Sequence, residues 1–213
     1  YNEYITRLKV DIDDVDSLDK IPFLPIQFFK THEIKPPVLS TKITFTSSGT
    51  TGNQNSKHFV VDVNLYKKSF TTSFTKFYGN PNEYCILALL PSYLERQGSS
   101  LVYMVDELIK LSGHSQSGFF LNEFDKLAES LRSLNEKGQK CLLIGVSFAL
   151  ADFAEKFKLQ LNNAIVMETG GMKGRRKEMV REDLHNQLCE AFGIPVVHSE
   201  YGMTELLSQA YSN

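Results

Sequence analysis

At 213 residues, 42% hydrophobic and 23% charged, the chain has the mixture of a soluble globular protein, which excludes disordered, collagen-like and coiled-coil designs. Lysine plus arginine number 23 against 25 aspartate plus glutamate, so a net charge of -2 leaves no basic excess for a phosphate backbone, and nucleic acid is not an expected partner. A chain of this length buries roughly 70% of its unfolded surface on folding, so a core needs no disulfide or metal to hold it.

In chain order, residues 1–40 read as an irregular lead-in, because Ile21-Pro22-Phe23-Leu24-Pro25-Ile26 and Pro36-Pro37 interrupt any regular element. From about Ile43 onward, short aliphatic runs alternate with helical stripes. That alternation predicts an α/β fold, a mainly parallel sheet flanked by helices, over residues 41–213. The expected strands are Lys42 to Phe45, Tyr84 to Leu90, Ser117 to Leu121, Lys140 to Val146 with Ala164 to Met167, and Val196 to His198.

The helices are marked by apolar residues three and four apart. Asp62 caps one with the stripe Tyr66, Phe70, Phe74 and Phe77, ending at Gly79. A second runs from Ser99 to Ser112 through Leu101, Met104, Val105, Leu108 and Leu111. Asn122 opens a third, with Phe124, Leu127, Ala128, Leu131 and Leu134 closed by Gly138. A fourth runs from Ser147 to about Leu161. The last starts near Lys177, turns Val180, Leu184, Leu188 and Phe192 inward, and stops at Gly193 before Pro195.

The three cysteines read as packing rather than chemistry: Cys85 and Cys141 sit in apolar runs and Cys189 on a helical stripe, a usage suited to a reducing cytoplasm. No stretch is long enough to span a bilayer; the nearly apolar run from Cys141 to Ala151 is too short. The five histidines show no spacing with cysteine or carboxylate that makes a zinc site. The chain opens at Tyr1 rather than a methionine, which leads to the expectation that it is a piece of a longer protein.

Two stretches carry chemistry. Thr44-Phe45-Thr46-Ser47-Ser48-Gly49-Thr50-Thr51-Gly52-Asn53-Gln54-Asn55-Ser56-Lys57 is a strand running into a loop of hydroxyls and glycines. Such a loop turns backbone amides and side-chain donors toward an oxyanion, although an ordinary polar turn has the same composition. It is not a Walker A loop, because Gly49 and Gly52 are three apart and no Gly-Lys follows. Val197-His198-Ser199-Glu200-Tyr201-Gly202-Met203-Thr204-Glu205 again lies at a strand end. There a flat ring beside glycine suits a base, and a hydroxyl and carboxylate suit a phosphate and its Mg2+; a strand-to-helix turn capped by Thr204 is the plain alternative.

In this order and about 150 residues apart, the two stretches resemble the phosphate loop and the Tyr-Gly-Met-Thr-Glu motif of the adenylate-forming superfamily of acyl-CoA synthetases, peptide-synthetase adenylation domains and luciferases. Met167-Glu168-Thr169-Gly170-Gly171 occupies the place of that superfamily's short glycine segment. The lead-in Ile21 to Lys30 and the missing loop proline narrow the resemblance to LuxE-type acyl-protein synthetases.

The resemblance implies part of the large N-terminal domain of such an enzyme, with the C-terminal lid domain lying beyond the equivalent of Asn213. It implies ATP-dependent activation of a carboxylic acid, fatty or otherwise apolar, to an acyl-adenylate, followed by transfer to a thiol. ATP and Mg2+ are the implied cofactors; the implied partners are the acid, an acyl-acceptor protein or CoA, and fatty-acid reductase subunits. Carried onto matching positions, Ser47, Ser48, Gly49, Thr50, Thr51 and Gly52 hold phosphates. Lys57 stands where the loop's lysine is expected, behind four intervening residues that a surface lysine would equally explain. Gly170 and Gly171 admit the adenine, Tyr201 stacks on it beside Gly202 and Met203, Thr204 touches the α-phosphate, and Glu205 holds Mg2+. Two other readings remain open: a phenylacetate-type acyl-CoA ligase, and a nucleotide-binding module without turnover.

Two further stretches are weighed less heavily. Gly174-Arg175-Arg176-Lys177 reads as a solvated helix start, and Leu90 to Gly98 as either an acyl-pocket wall or a simple loop.

Overall fold

In the computed structural model, residues 1–47, 54–91, 98–170 and 179–212 are described. The sheet is built as the aliphatic runs require. Strands β3 (Cys85–Leu89) and β5 (Cys141–Val146) are buried along their whole length, the mark of parallel strands covered on both faces. They pair in parallel from Cys85 opposite Cys141 to Leu89 opposite Gly145. With β4 (Gly118–Phe119), β6 (Ala164–Thr169), β7 (His198–Gly202) and β8 (Gln209–Ser212) they form a six-stranded sheet of order β4-β3-β5-β6-β7-β8. Every pairing is parallel except β7 with β8. A separate antiparallel hairpin joins β1 (Ile43–Thr46) to β2 (Lys57–Val60).

Three helices keep the expected apolar faces. On α3 (Val63–Tyr78), Tyr66, Phe70 and Phe74 are buried, and the Asp62 side chain accepts the Asn64 N–H at 2.9 Å. On α4 (Ser100–Ser112), Met104, Val105 and Leu108 are buried. On α5 (Phe124–Glu136), Leu127, Ala128, Leu131 and Leu134 form the inward stripe.

Helices α6 (Ser147–Lys156) and α7 (Arg181–Phe192) pack against each other, and α6 lies on β5 and β6. Strand alternation fixes the layering. Tyr211 of β8 meets the rings of Phe74, Phe77 and Tyr78 on α3, whereas its neighbour Ser212 accepts from Arg181 of α7. Successive strand side chains point to opposite faces, so α3 and α7 cover opposite sides of the sheet.

Several sequence expectations are corrected. Phe77, Leu111 and Val180 are exposed, not inward. Phe77 and Leu111 sit in the last turns of their helices, and Val180 precedes α7 as its N-cap residue, where helical spacing no longer applies. The helix expected to reach Leu161 ends at Lys156, because the Leu159 and Leu161 N–H groups bond the Ala191 and Phe192 carbonyls at the end of α7. The helix expected from Asn122 begins at Phe124. The strand read as Val196 to His198 is His198–Gly202, held by β6 on one side and β8 on the other. The lead-in is more regular than expected. The stretch before the prolines at 22 and 25 forms α1 (Asn2–Arg7) and two 3-10 turns, and α2 (Phe28–Thr31) follows them.

Candidate active site

Ligands of open α/β sheets bind beyond the carboxyl ends of the strands. Here β6 ends in Thr169-Gly170 and β7 in Tyr201-Gly202, and both ends border a cavity of about 660 Å³. The opposite wall is the start of α4, Ser99, Ser100 and Leu101, and the roof is the hairpin through Thr46, Ser47 and Asn55. The Ser99 hydroxyl oxygen accepts the Val102 N–H at 3.3 Å, which places the positive end of a 13-residue helix on the cavity.

The expected phosphate loop connects the two strands of the hairpin. Its base is pinned at Ser47, whose N–H donates to the Ser56 carbonyl at 3.0 Å and whose Oγ accepts the Ser56 N–H at 2.9 Å. Ser47 therefore closes the loop as well as lining the cavity. Ser48, Gly49, Thr50, Thr51 and Gly52 lie outside the described residues, as does Gly171. Lys57 opens β2 on the exposed side and is not among the cavity's lining residues. The basic stretch 174–177 and most of the 90–98 segment also lie outside the described residues. Gly98, which ends that segment, has φ +85 and accepts the Thr46 N–H at 2.8 Å. A Cβ there would sit 3.0 Å from Thr46 Oγ1, so both the backbone angle and the close approach require glycine.

Gly170, Tyr201, Gly202, Met203, Thr204 and Glu205 all line the cavity. Tyr201 is 63% exposed where it borders the cavity. No helix follows the motif: the chain turns with Leu206 N–H on the Met203 carbonyl at 3.0 Å and returns as β8, so Thr204 caps nothing. Instead the Thr204 carbonyl lies 3.0 Å from His58 Nδ1 on β2. A carbonyl only accepts, so Nδ1 carries the proton; burial lowers the imidazole's pKa, and the Thr204 carbonyl and the Glu205 charge oppose that shift. His58 thus ties the hairpin to the Tyr-Gly-Met-Thr-Glu turn across 146 positions of sequence.

Beneath Gly170 a polar knot fixes the ends of the strands. Ser147 Oγ lies 2.7 Å from the Gly170 carbonyl and 2.9 Å from Glu168 Oε2, and the Ser199 hydroxyl donates to Glu168 Oε1 at 2.7 Å. Arg181 donates to the Ser199 and Ser212 hydroxyls and stands 3.8 Å from Glu168. These bonds join α6, α7, β6, β7 and β8 directly behind the turn at Gly170.

Sequence reasoning assigned no role to Glu200, Thr169, Gln209 or His58. Glu200 is 5% exposed yet lines the cavity, with Oε2 accepting the Thr169 hydroxyl at 2.6 Å and Oε1 lacking a partner among the described residues. Burial pushes this carboxyl up from 4.5 to about 7; the Thr169 bond opposes the rise and the nearby Glu168 charge adds to it. The folded state therefore keeps a proton that the unfolded chain releases above pH 4.5. Stability from this group is full below pH 4.5 and declines as pH rises toward 7. The isosteric Glu200→Gln is expected to lose that slope, gaining on the wild type by on the order of 1 kcal/mol per pH unit across the window. Urea unfolding of both proteins at several pH values checks this, and parallel stability curves would contradict it.

The other ionisable groups are less suited to chemistry. Burial raises all three thiols, Cys141 to about 12, which leaves them protonated and unreactive. Among the described residues, no three histidine, cysteine, aspartate or glutamate side chains come together as metal ligands. No helix of the described residues is long and apolar enough to cross a membrane.

No protein-family model and no curated protein matches the sequence. Among solved structures, the chain is similar to a mutant form of coronafacic acid ligase from Pectobacterium brasiliense, with a TM-score of 0.41 and 21% identity over 70% of this chain and 26% of that one. The chain thus spans 26% of the length of that ligase.

Proposed function

We propose that this chain is the nucleotide-binding part of an enzyme that activates a carboxylic acid with ATP, forming an acyl-adenylate and passing the acyl group to a thiol. One observation carries the reading. The flanks of the Ser/Thr/Gly loop and the Tyr-Gly-Met-Thr-Glu turn, far apart in sequence, border one cavity and are tied together by His58. The wall chemistry supports it. Ser47, Ser99, Ser100 and Thr204 offer hydroxyl donors, and the start of α4 adds a positive end, as an anionic ligand requires.

In this reading Tyr201 stacks on the adenine, and the turn at Gly170 lets the backbone approach it. The Thr204 hydroxyl donates to the α-phosphate, and the loop donors hold the β and γ phosphates. The carboxylate attacks the α-phosphorus and pyrophosphate leaves, a displacement governed by positioning and charge neutralisation rather than by a protein nucleophile. The described wall carries two carboxylates, Glu200 and Glu205, and no lysine or arginine. Of these, Glu205 on the turn fits Mg2+, which is commonly held by one or two carboxylates with substrate phosphates completing its shell. Glu205 is the residue that would hold the ion, and when bound the ion supplies neutralisation of phosphate charge.

The narrower LuxE-type reading adds a fatty acid as substrate, a protein cysteine as acceptor and reductase subunits as partners. The phenylacetate-type reading adds an aryl acid and CoA. Both share the adenylation step. Calorimetric titration of AMP into the chain tests the nucleotide site: Tyr201→Ala is expected to weaken binding about 5- to 150-fold, the worth of one base stacked on an aromatic ring. Equal affinities in the two proteins would remove the stacking role.

A further inference from the structure

Glu200 and Tyr201 are successive residues of β7, so their side chains leave opposite faces of the sheet while both border the same cavity. The Tyr201 ring belongs to the face of Ser199 and Arg181, whereas Glu200 belongs to the face of Thr169, Tyr211 and α3. A base stacked on Tyr201 therefore leaves the Glu200 side of the cavity to the other reactant. That side holds polar atoms with nothing to bond. Glu200 Oε1 and Gln209 Oε1 are buried acceptors without partners among the described residues, while Gln209 Nε2 is engaged by donating to Tyr66 Oη at 3.0 Å. Tyr66 in turn donates to the Ser100 carbonyl at 3.2 Å, in the opposite wall. Gly202 lets both side chains close on the strand: a Cβ there would stand 2.9 Å from Glu200 Oε1 and 3.0 Å from Gln209 Nε2.

Buried acceptors beside a cavity are costly unless something donates to them. Building on the acid-activating reading above, we propose that Glu200 is a specificity-determining residue, taking on Oε1 a hydrogen bond from a hydroxyl or ammonium group that the acid substrate carries near its carboxylate. The substrate class is then a hydroxy or amino acid rather than a plain hydrocarbon acid. Thr204, the residue assigned to the α-phosphate, borders the same cavity, so the donor is sought near the reacting carboxylate. The absence of lysine and arginine from the described wall agrees, since no cation competes for Glu200.

The ionisable groups on the Glu200 face are His198 on β7, Tyr66 on α3 and Tyr211 on β8, with Glu205 on the turn, while the Glu168 charge acts on it from the other face. The two tyrosines are held neutral by burial, and burial lowers the pKa of His198, so the carboxyl is the group on this face that is pushed up to about 7. A donor on the ligand favours its ionised form, so preference for the donor-bearing acid rises as pH climbs through 7.

The test is ATP–pyrophosphate exchange on the full chain with hexanoate, its 2- and 3-hydroxy derivatives and its 2- and 3-amino derivatives, at pH 6 to 8. At least one derivative is expected to exceed hexanoate by about tenfold or more in apparent affinity. The advantage should grow with pH in the wild type, and in Glu200→Gln it should shrink and lose that growth, because the amide oxygen still accepts but carries no charge. Hydroxy arms that respond identify a hydroxyl, and amino arms alone identify an ammonium group. The wild-type pH series stands even where the variant folds poorly. Exchange that favours hexanoate, or a preference untouched by Glu200→Gln, overturns this proposal and leaves the acid-activating reading intact. Exchange with an aryl acid but none of these five overturns this proposal alone, and exchange with no acid at all overturns both.

Discussion

Phe153→Ala is expected to cost about 3–5 kcal/mol of folding stability, the range for removing a buried aromatic from a close-packed core. Phe153 is fully buried on α6, where its ring meets Phe124 of α5 edge-on at 5.6 Å, Phe192 of α7 at 5.7 Å and Phe157 at 5.2 Å. It is the side chain on which the helices of that face converge, so truncation leaves a cavity that three rigid neighbours cannot all collapse to fill. For a chain of this size each kcal/mol lowers the melting temperature by about 2–4 °C, which makes the expected loss on the order of 10 °C. The same helix begins at Ser147, the residue bonded to the Gly170 carbonyl and Glu168, so the site behind Gly170 should loosen with it. Equilibrium urea unfolding measures the cost; a loss below about 1 kcal/mol would mean that α6 is held by contacts other than these rings.

Glu205→Gln carries the largest expected effect on activity. Glu205 borders the cavity on the turn between β7 and β8, beside Thr204, whose carbonyl His58 holds in place. Replacing it by the neutral isostere removes the carboxylate assigned to Mg2+ while keeping the shape of the turn, so folding should change by less than about 0.5 kcal/mol, as for an ordinary surface substitution. Adenylation should fall by about 100-fold or more, and the Mg2+ concentration needed for half-maximal rate should rise, since the metal contributes several kcal/mol of charge stabilisation. The magnesium dependence separates this role from a structural one. A variant that is slower at an unchanged Mg2+ requirement would assign Glu205 to the turn rather than to the ion.

The parts of this molecule that are legible in the sequence are those in which one physical signal dominates. The runs at Cys85 and Cys141 are apolar without alternation because both faces of those strands are covered, and they became the adjacent central strands. The stripes of α3 and α5 are readable for the same reason: burial lies on one side only. What failed lies at the ends of elements and at the sheet edge. Gln209-Ala210-Tyr211-Ser212 has neither an apolar run nor a clean alternation, because β8 pairs with the sheet on one side only and is partly open. Its existence follows from the turn after Met203, where the plain alternative was a helix capped by Thr204. Within the site, Tyr201 through Glu205 and Gly170 could be picked out by residue type and order. Glu200 could not, since its environment depends on Thr169, Gln209 and Tyr66, each brought in by a different element. His58 was hidden for the same reason: its partner carbonyl is 146 residues away.

The central claim is that this cavity activates a carboxylate with ATP. Carboxylate-dependent exchange of labelled pyrophosphate into ATP tests it most directly, because label enters ATP only when an acyl-adenylate forms and reverses. The chain, given Mg2+ and a panel of aliphatic, hydroxy, amino and aryl acids, is expected to show exchange that requires one acid class and falls in Glu205→Gln. A protein that binds ATP yet gives no exchange with any acid would contradict the account and leave a nucleotide-binding module without turnover.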